Sequence, residues 1–237
     1  MAKAETVLVS GASSGIGEAI ASLLLQQGYN VIGLSRRGQV DTLHHENFTP
    51  LALDLENLQQ LETEIKKLQL NHDIGCFVHA AGQGCFGSIE QFSIAQIESA
   101  MRINLTSAMV VCRGLLPALR RRGRGRLVFI GSESALAGGK KGALYCASKF
   151  GLRGFCLSLR EDCASDGIQV SLINPGMVRS PFFDELSFAP GALPENAIEV
   201  EDVARVVLQI MQSSPHIVID EVNLSPRVKS IDFGKKS

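Results

Sequence analysis

Tyr145 and Lys149 stand four residues apart in Tyr145-Cys146-Ala147-Ser148-Lys149, a spacing that puts both on one face of a helix. A free phenol has a pKa of about 10 and is a poor proton shuttle near neutrality. A neighbouring ammonium favours the phenolate and pulls that value down, as a general acid–base requires. Ser132 comes 13 residues before Tyr145, just past the apolar run Leu127-Val128-Phe129-Ile130. Its hydroxyl can bond a substrate oxygen while the phenol exchanges a proton. Alone, a tyrosine–lysine pair at this spacing is an ordinary surface contact. It gains meaning only if other elements bring reactants to the same edge.

One such element is at the start of the chain, where the apolar run Thr6–Ser10 enters Gly11-Ala12-Ser13-Ser14-Gly15-Ile16-Gly17 and then a helical pattern. Gly11 permits a tight turn, Gly15 lets backbone approach a pyrophosphate, and Gly17 lets the helix pack closely on the sheet. The helix start supplies unpaired N–H groups and a positive dipole end for phosphates. Strand, turn and helix in that order give the motif its context. The second strand ends in Ser35-Arg36-Arg37, where such a fold holds a ribose. Arginine there pairs with a 2′-phosphate, so NADP(H) is expected over NAD(H). Asp54, followed by Leu55, is placed to meet the adenine, and Ala80-Ala81-Gly82 offer small residues where backbone must approach a cofactor. The oxidised nicotinamide ring, being positive, would add to the lowering of the Tyr145 pKa.

The elements that must position these residues alternate. Strands are expected at Thr6–Ser10, Asn30–Ser35, Thr49–Asp54, Ile74–His79, Arg126–Ile130, Ile168–Asn174 and His216–Leu224. Helical patterns cover Gly15–Gln27, Asn57–Leu70, Ser93–Arg122 (as two helices), Tyr145–Asp166 and Glu201–Ser213. Ser93 with Gln96 reads as a capping box. Strict alternation implies right-handed crossovers and an α/β, doubly wound (Rossmann) domain with a seven-stranded, mostly parallel sheet. All 237 residues fit one such domain. Between Pro175 and Pro194 the prolines break any period, which marks a functional loop.

Together these motifs resemble the short-chain dehydrogenase/reductase family over nearly the whole chain. The matching pieces are Ser10-Gly11 through Gly17, Ala81-Gly82, Asn104, Ser132, Tyr145 with Lys149, and Asn174-Pro175-Gly176. The resemblance implies Tyr145 as general acid–base and Lys149 as a second ligand of the nicotinamide ribose. It also implies Ser132 positioning the carbonyl, and Asn104 holding a water that links Lys149 to solvent. Pro175, Gly176 and Val178 join the expected cofactor contacts, residues 176–195 become a substrate lid, and Ser180 is a candidate for the nicotinamide carboxamide. Ser134 competes with Ser132, whose distance from Tyr145 fits the family better. The family's Asn-Asn-Ala-Gly is His79-Ala80-Ala81-Gly82 here, with His79 read as a structural group closing a buried strand.

The activity implied is hydride transfer between NADP(H) and a small carbonyl or alcohol. A 3-oxoacyl thioester reductase and a catalytically silent NADP sensor are the alternatives. Lid residues Met177, Val178, Phe182, Phe183, Leu186 and Phe188 suggest an apolar or mixed substrate; Arg179 is free to meet a carboxylate, cofactor phosphate or solvent. A homodimer or homotetramer is expected through the Tyr145 helix, which carries Ala147, Gly151, Gly154 and Ser158 beside Phe150, Phe155 and Leu159.

With 45% apolar and 20% charged residues and a net charge of −1, the chain has a core to build and no electrostatic bias towards nucleic acid. Arg120, Arg121, Arg122, Arg124 and Arg126 are read as cations at a helix C-terminus. The six cysteines lack CxxC pairing, as free thiols of a reducing compartment do, and no metal is expected. Met1-Ala2-Lys3-Ala4-Glu5 leads straight into a strand without a signal-peptide core, and no apolar run reaches the roughly 20 residues of a membrane span. A cytoplasmic protein is expected.

Overall fold

The computed structural model describes residues 5–38, 40 and 42–234; the N-terminal residues Met1–Ala4, read above as leading into the first strand, lie outside them. The chain order is β1 (Thr6–Ser10), α1 (Gly15–Gln26), β2 (Asn30–Ser35), β3 (Phe48–Ala52), α2 (Leu58–Asn71), β4 (Ile74–His79), α3 (Ile94–Met101), α4 (Ser107–Arg122), β5 (Gly125–Ile130), α5 (Ala143–Cys163) and β6 (Ile168–Pro175). Three two-residue strands follow, β7 (Val178–Arg179), β8 (Ala189–Pro190) and β9 (Ile198–Glu199). Then come α6 (Val200–Met211), β10 (Glu221–Leu224) and β11 (Ile231–Asp232).

Seven strands form one sheet in the order β10-β6-β5-β4-β1-β2-β3, and every pairing in it is parallel. From β1 the chain first works outward through β2 and β3, then crosses to β4 on the other side. The carboxyl ends of β1 and β4 therefore flank the topological switch point, where such sheets bind ligands.

Successive strand residues face opposite sides, so β1 serves two cores. Leu8 joins Ile32, Leu34, Phe77 and Phe129 beneath α2, α4 and α5. Val7 and Val9 join Val31, Val78 and Val128 beneath α1 and α6. Both faces being covered explains the near-continuous apolar strands. The edge strand β3 departs from that rule, with exposed Thr49 and Pro50.

Some boundaries differ from the sequence expectation. β3 stops at Ala52, leaving Asp54 in the connection to α2. β10 begins at Glu221 rather than His216, because the Gln169 amide holds the carbonyls of Ser214 and Ile217 in a turn. Over Ser93–Arg122 the expected two helices are present, joined without a break by a π turn at Arg102–Thr106. The Ser93–Gln96 capping box forms. At the far end, Arg120 pairs with Asp166 and Arg122 with Asp73, while Arg126 donates to the Ser213 carbonyl. No helix among the described residues is long and apolar enough to cross a membrane.

Candidate active site

The glycine turn is built by contacts that exclude side chains. Gly11 sits at φ 73°, and a Cβ there would lie 2.8 Å from the Ala81 Cα. A Cβ on Gly17 would come within 2.2 Å of the Gly11 carbonyl oxygen. Gly15, at φ 57°, lies beneath Ser180 and Pro181 of the segment after β6. Ser14 is the N-cap of α1, yet its side chain makes no capping bond, so the first-turn N–H groups are left for another acceptor. Ser13 and Ile16 are half-buried and Ser14 is exposed. This cradle fits a phosphate group.

At the end of β2, Ser35 is buried, and its hydroxyl accepts the Gly38 N–H at 3.1 Å. Gly38, at φ 74° and pressed on Ala52, closes a turn that leaves Arg36 and Arg37 exposed. Neither arginine is ion-paired with a described residue, unlike Arg120, Arg122 or Arg153. Asp54 is exposed and accepts the Glu56 N–H at 3.0 Å through Oδ1. Leu55 and Val178 turn their side chains into the cores, so only their backbone is open to a ligand.

At the carboxyl ends of β4 and β5 the remaining residues converge. Tyr145, 6% exposed, has the Ser132 side chain near enough to its phenol to hold the pKa down against burial. Ser132 Oγ accepts the Ser134 N–H at 3.1 Å. Lys149 Nζ donates to the Ile130 carbonyl at 3.0 Å and lies 5.8 Å from the centre of the Tyr145 ring. A Cβ on Gly82 would be 3.5 Å from both Lys149 Nζ and Asn104 Oδ1, so Gly82 backbone lines the same crevice. Pro175 is buried, and Gly176 lies beside Glu133 and Pro226.

Asn104 is fully buried in the π turn, a device common at functional sites. Its Oδ1 accepts the Gln83 N–H at 2.8 Å, while Nδ2 donates to the Gln83 carbonyl at 3.1 Å and to Ser148 Oγ at 3.0 Å. Ser148 Oγ in turn donates to the Tyr145 carbonyl at 2.7 Å. Asn104 thus ties the loop after β4 to α5. Both its amide hydrogens are spent, so a bound water would have to donate to one of its oxygens.

The electrostatics differ from the sequence expectation. Burial pushes the Tyr145 phenol above its ordinary value, and the neighbouring Ser132 side chain opposes that only in part. Burial also pushes Lys149 down to about 8. A lysine that is neutral by then offers no cation to a phenol ionising higher up, so the expected lowering by Lys149 does not occur in the protein alone. His79 is held neutral, with a pKa of about 3, first by burial and then by Lys149. Its Nδ1 lies 3.0 Å from Ser10 Oγ, which also accepts the Ala81 N–H at 3.4 Å. His79 therefore braces the ends of β1 and β4.

Sequence reasoning missed several partners. Phe86 covers the Tyr145 ring at 4.9 Å between centroids, and Phe182 stands at 5.8 Å. Phe182 is visible in the sequence as an apolar residue after Pro-Gly, but nothing local marks Phe86, Gln83 or Ser148. Arg179 is not free: it pairs with Glu199 at 3.2 Å and donates to the carbonyls of Gly191 and Leu193. Ser180 donates to the Val178 carbonyl at 3.2 Å. Phe155 and Leu159, expected on the outer face of α5, pack into the core instead; Phe150 and Leu157 are the exposed apolar residues there. Cys146 is buried and directs its thiol to the Ala137 carbonyl.

The model of the short chain dehydrogenase family matches residues 5–189. An uncharacterized oxidoreductase of Staphylococcus epidermidis is 27% identical over 230 residues, covering 94% of this chain and 98% of that protein. The uncharacterized oxidoreductase YbbO of Escherichia coli is 34% identical over 187 residues, covering 77% of this chain and 69% of that one. Among solved structures, a metagenomic short-chain oxidoreductase in complex with NADP superposes with a TM-score of 0.80 at 27% identity, over 95% of this chain and 98% of that chain. Sheet order, glycine turn and family match agree: the chain belongs to the short-chain dehydrogenase family of oxidoreductases.

Proposed function

We propose that this protein is an NADP(H)-dependent carbonyl reductase or, in reverse, a dehydrogenase of small alcohols or hydroxy acids. The observation that carries this reading is the meeting of Tyr145, Ser132 and Lys149 at the carboxyl edge beside a glycine turn whose helix start has no side-chain cap. The dinucleotide supplies or accepts the hydride at the substrate carbon. Gly11, Ser13, Ser14, Gly15, Ile16 and Gly17 hold its phosphates. Arg36, with Arg37 beside it, pairs with the 2′-phosphate; the NADP-bound relative supports that choice. Asp54 meets the adenine, and Ala80, Ala81 and Gly82 line the nicotinamide ribose together with Lys149.

In reduction, Ser132 Oγ donates a hydrogen bond to the carbonyl oxygen. Tyr145 gives its phenolic proton to that oxygen as the carbon receives the hydride. Lys149 then restores the proton, its pKa of about 8 lying close enough to neutrality for it to give and regain one. Asn104 keeps Tyr145 and Lys149 in register through Ser148, and residues 176–195 act as the lid. Six free cysteines suit the cytoplasm. A homo-oligomer would bury the stripe of Ala147, Phe150, Gly154 and Leu157 on α5 with Met109 of α4.

Two competing readings are less favoured. A thioester reductase docking an acidic carrier protein would want free cations; Arg120 and Arg122 are ion-paired within the fold, which leaves exposed Arg121 and Arg124 for that role. A silent sensor would have no use for the buried hydroxyl pair at Ser132 and Tyr145. The test is oxidation of NADPH, read at the nicotinamide band, with a panel of aldehydes, ketones and oxoacids. Tyr145→Phe should lower kcat about 10²- to 10⁴-fold while dinucleotide affinity stays within a few-fold. A variant that keeps its rate would refute the assignment.

A further inference from the structure

Five phenylalanines outside both cores form a connected cluster that reaches the Tyr145 ring through Phe86 and Phe182. Phe86 lies tilted by 41° against Tyr145 at 4.9 Å and meets Phe188 edge-on at 5.0 Å. Phe182 adds its ring to Tyr145 at 5.8 Å and touches Phe183 at 5.1 Å. Phe183 and Phe188 lie 5.8 Å apart, and Phe188 reaches Phe233 at 6.3 Å. The approach of Phe182 depends on Gly84, where a Cβ would sit 3.0 Å from its ring.

The outermost ring comes from the C-terminal segment, which is sewn to the segment after β6. β11 pairs antiparallel with β8, Ile231 opposite Pro190 and Asp232 opposite Ala189. Gly191 donates to the Ser230 carbonyl at 3.0 Å, and Val228 to the Glu195 carbonyl at 3.0 Å. Asn196 Nδ2 reaches the Val228 carbonyl at 3.1 Å. Lys229 bridges to Glu133, the residue after Ser132, at 2.6 Å. Phe188 is therefore held from both sides, by Phe86 over the tyrosine and by Phe233 on the tail.

Charge argues in the same direction. Arg179 spends its guanidinium on Glu199 and two carbonyls, and Lys229 is neutralised by Glu133. Among the described residues the cation recorded against these rings is Lys149, at Tyr145 itself. A carboxylate placed among these rings would find, among the described residues, only Lys149 as a cation, already bonded to the Ile130 carbonyl, and would be desolvated at a cost. A planar ring would gain the edge and face contacts these phenylalanines now make with one another.

We propose that the substrate is an uncharged aromatic carbonyl compound or its alcohol, selected by Phe86, Phe182 and Phe188, with the C-terminal strand β11 holding Phe188 in place. This rests on the oxidoreductase reading above. The reduction places the hydride on the ring-bearing carbonyl carbon and the Tyr145 proton on its oxygen, leaving an alcohol and oxidised dinucleotide.

The test compares 2-naphthaldehyde with its fully saturated two-ring analogue, its ring-carboxylated analogue and hexanal, in wild type, in Phe188→Leu and in a chain ending at Lys229. Wild type should favour the naphthyl compound over the saturated one by at least about tenfold in kcat/KM, as two ring–ring pairs would give. Both altered chains should cut that ratio at least about threefold. Equal or better use of the saturated or carboxylated compound, or a ratio unmoved in both altered chains, overturns the proposal. A second arm titrates 2-naphthylmethanol by its own emission, which the absence of tryptophan leaves unobscured. Tight, Phe188-dependent binding without any turnover would uphold the aromatic subsite and sink the oxidoreductase reading. Turnover of hexanal without ring preference would do the reverse.

Discussion

Replacing Lys149 with methionine should abolish turnover and yet stabilise the protein at pH 7. Lys149 is 3% exposed, and burial takes its pKa from 10.5 to about 8. At about 1.4 kcal/mol per pH unit, holding that ammonium in the fold costs about 3 kcal/mol. Below pH 8 both folded and unfolded chains carry the proton, so the cost is fully present. Between pH 8 and 10.5 the unfolded chain binds more protons than the folded one, and wild-type stability rises with pH until the cost is gone. Methionine removes the charge but also the bond to the Ile130 carbonyl, a charge-assisted contact worth about 1.5–3 kcal/mol. The balance at pH 7 is a gain of about 1 kcal/mol, or a Tm higher by about 2–4 °C for a chain of this size. By pH 10.5 the variant should instead be the less stable of the two. Thermal unfolding of both ligand-free proteins from pH 7 to 10.5 gives the difference directly. A variant less stable at pH 7, or a difference that does not change with pH, would refute the reasoning.

Arg36→Glu should weaken NADPH by roughly 10- to 100-fold, as loss of a charge-assisted phosphate contact does, and leave NADH nearly untouched. Equal losses for both dinucleotides would remove Arg36 from the 2′-phosphate. Phe150→Glu combined with Leu157→Glu should leave a folded monomer, because both side chains are more than 40% exposed and support no core; sedimentation that still gives an oligomer would place the interface elsewhere.

The sequence carried the sheet because its strands are apolar on both faces and its crossovers are regular; the seven strands expected along the chain are the seven that form it. The boundary at β10 escaped it because Gln169 of distant β6 holds the turn before that strand, and β3 gives way to a local turn in which Asp54 accepts the Glu56 and Asn57 N–H groups. The glycine turn, Ser132, Tyr145 and Lys149 were legible because each is forced by local geometry or helical spacing. Phe86 and Phe233 were not, for they reach the site only through tertiary packing. Arg179 looked available because its partner Glu199 is 20 residues away, on β9. The pKa of Tyr145 was misjudged for a related reason: spacing reports the neighbour but not the depth at which both are buried.

That depth bears on how the site works. One cause, exclusion of water, raises the phenol and lowers the ammonium, so at neutral pH Tyr145 keeps its proton. A phenol held this way is a weak acid towards water but not towards the oxygen of a carbonyl taking up a hydride, since the alkoxide forming there is a far stronger base than phenolate. Proton transfer then waits for the hydride instead of preceding it, and the buried phenol loses little as an acid. On the proposed function the opposite direction starts with phenolate, which burial disfavours even with Lys149 protonated at neutral pH, so oxidation would draw on a further positive charge. Within the family reading that charge is the oxidised nicotinamide ring, beside the same tyrosine. On the proposed function Tyr145 would become a base only when a partner able to accept a hydride is bound, with Phe86 and Phe182 packed against its ring.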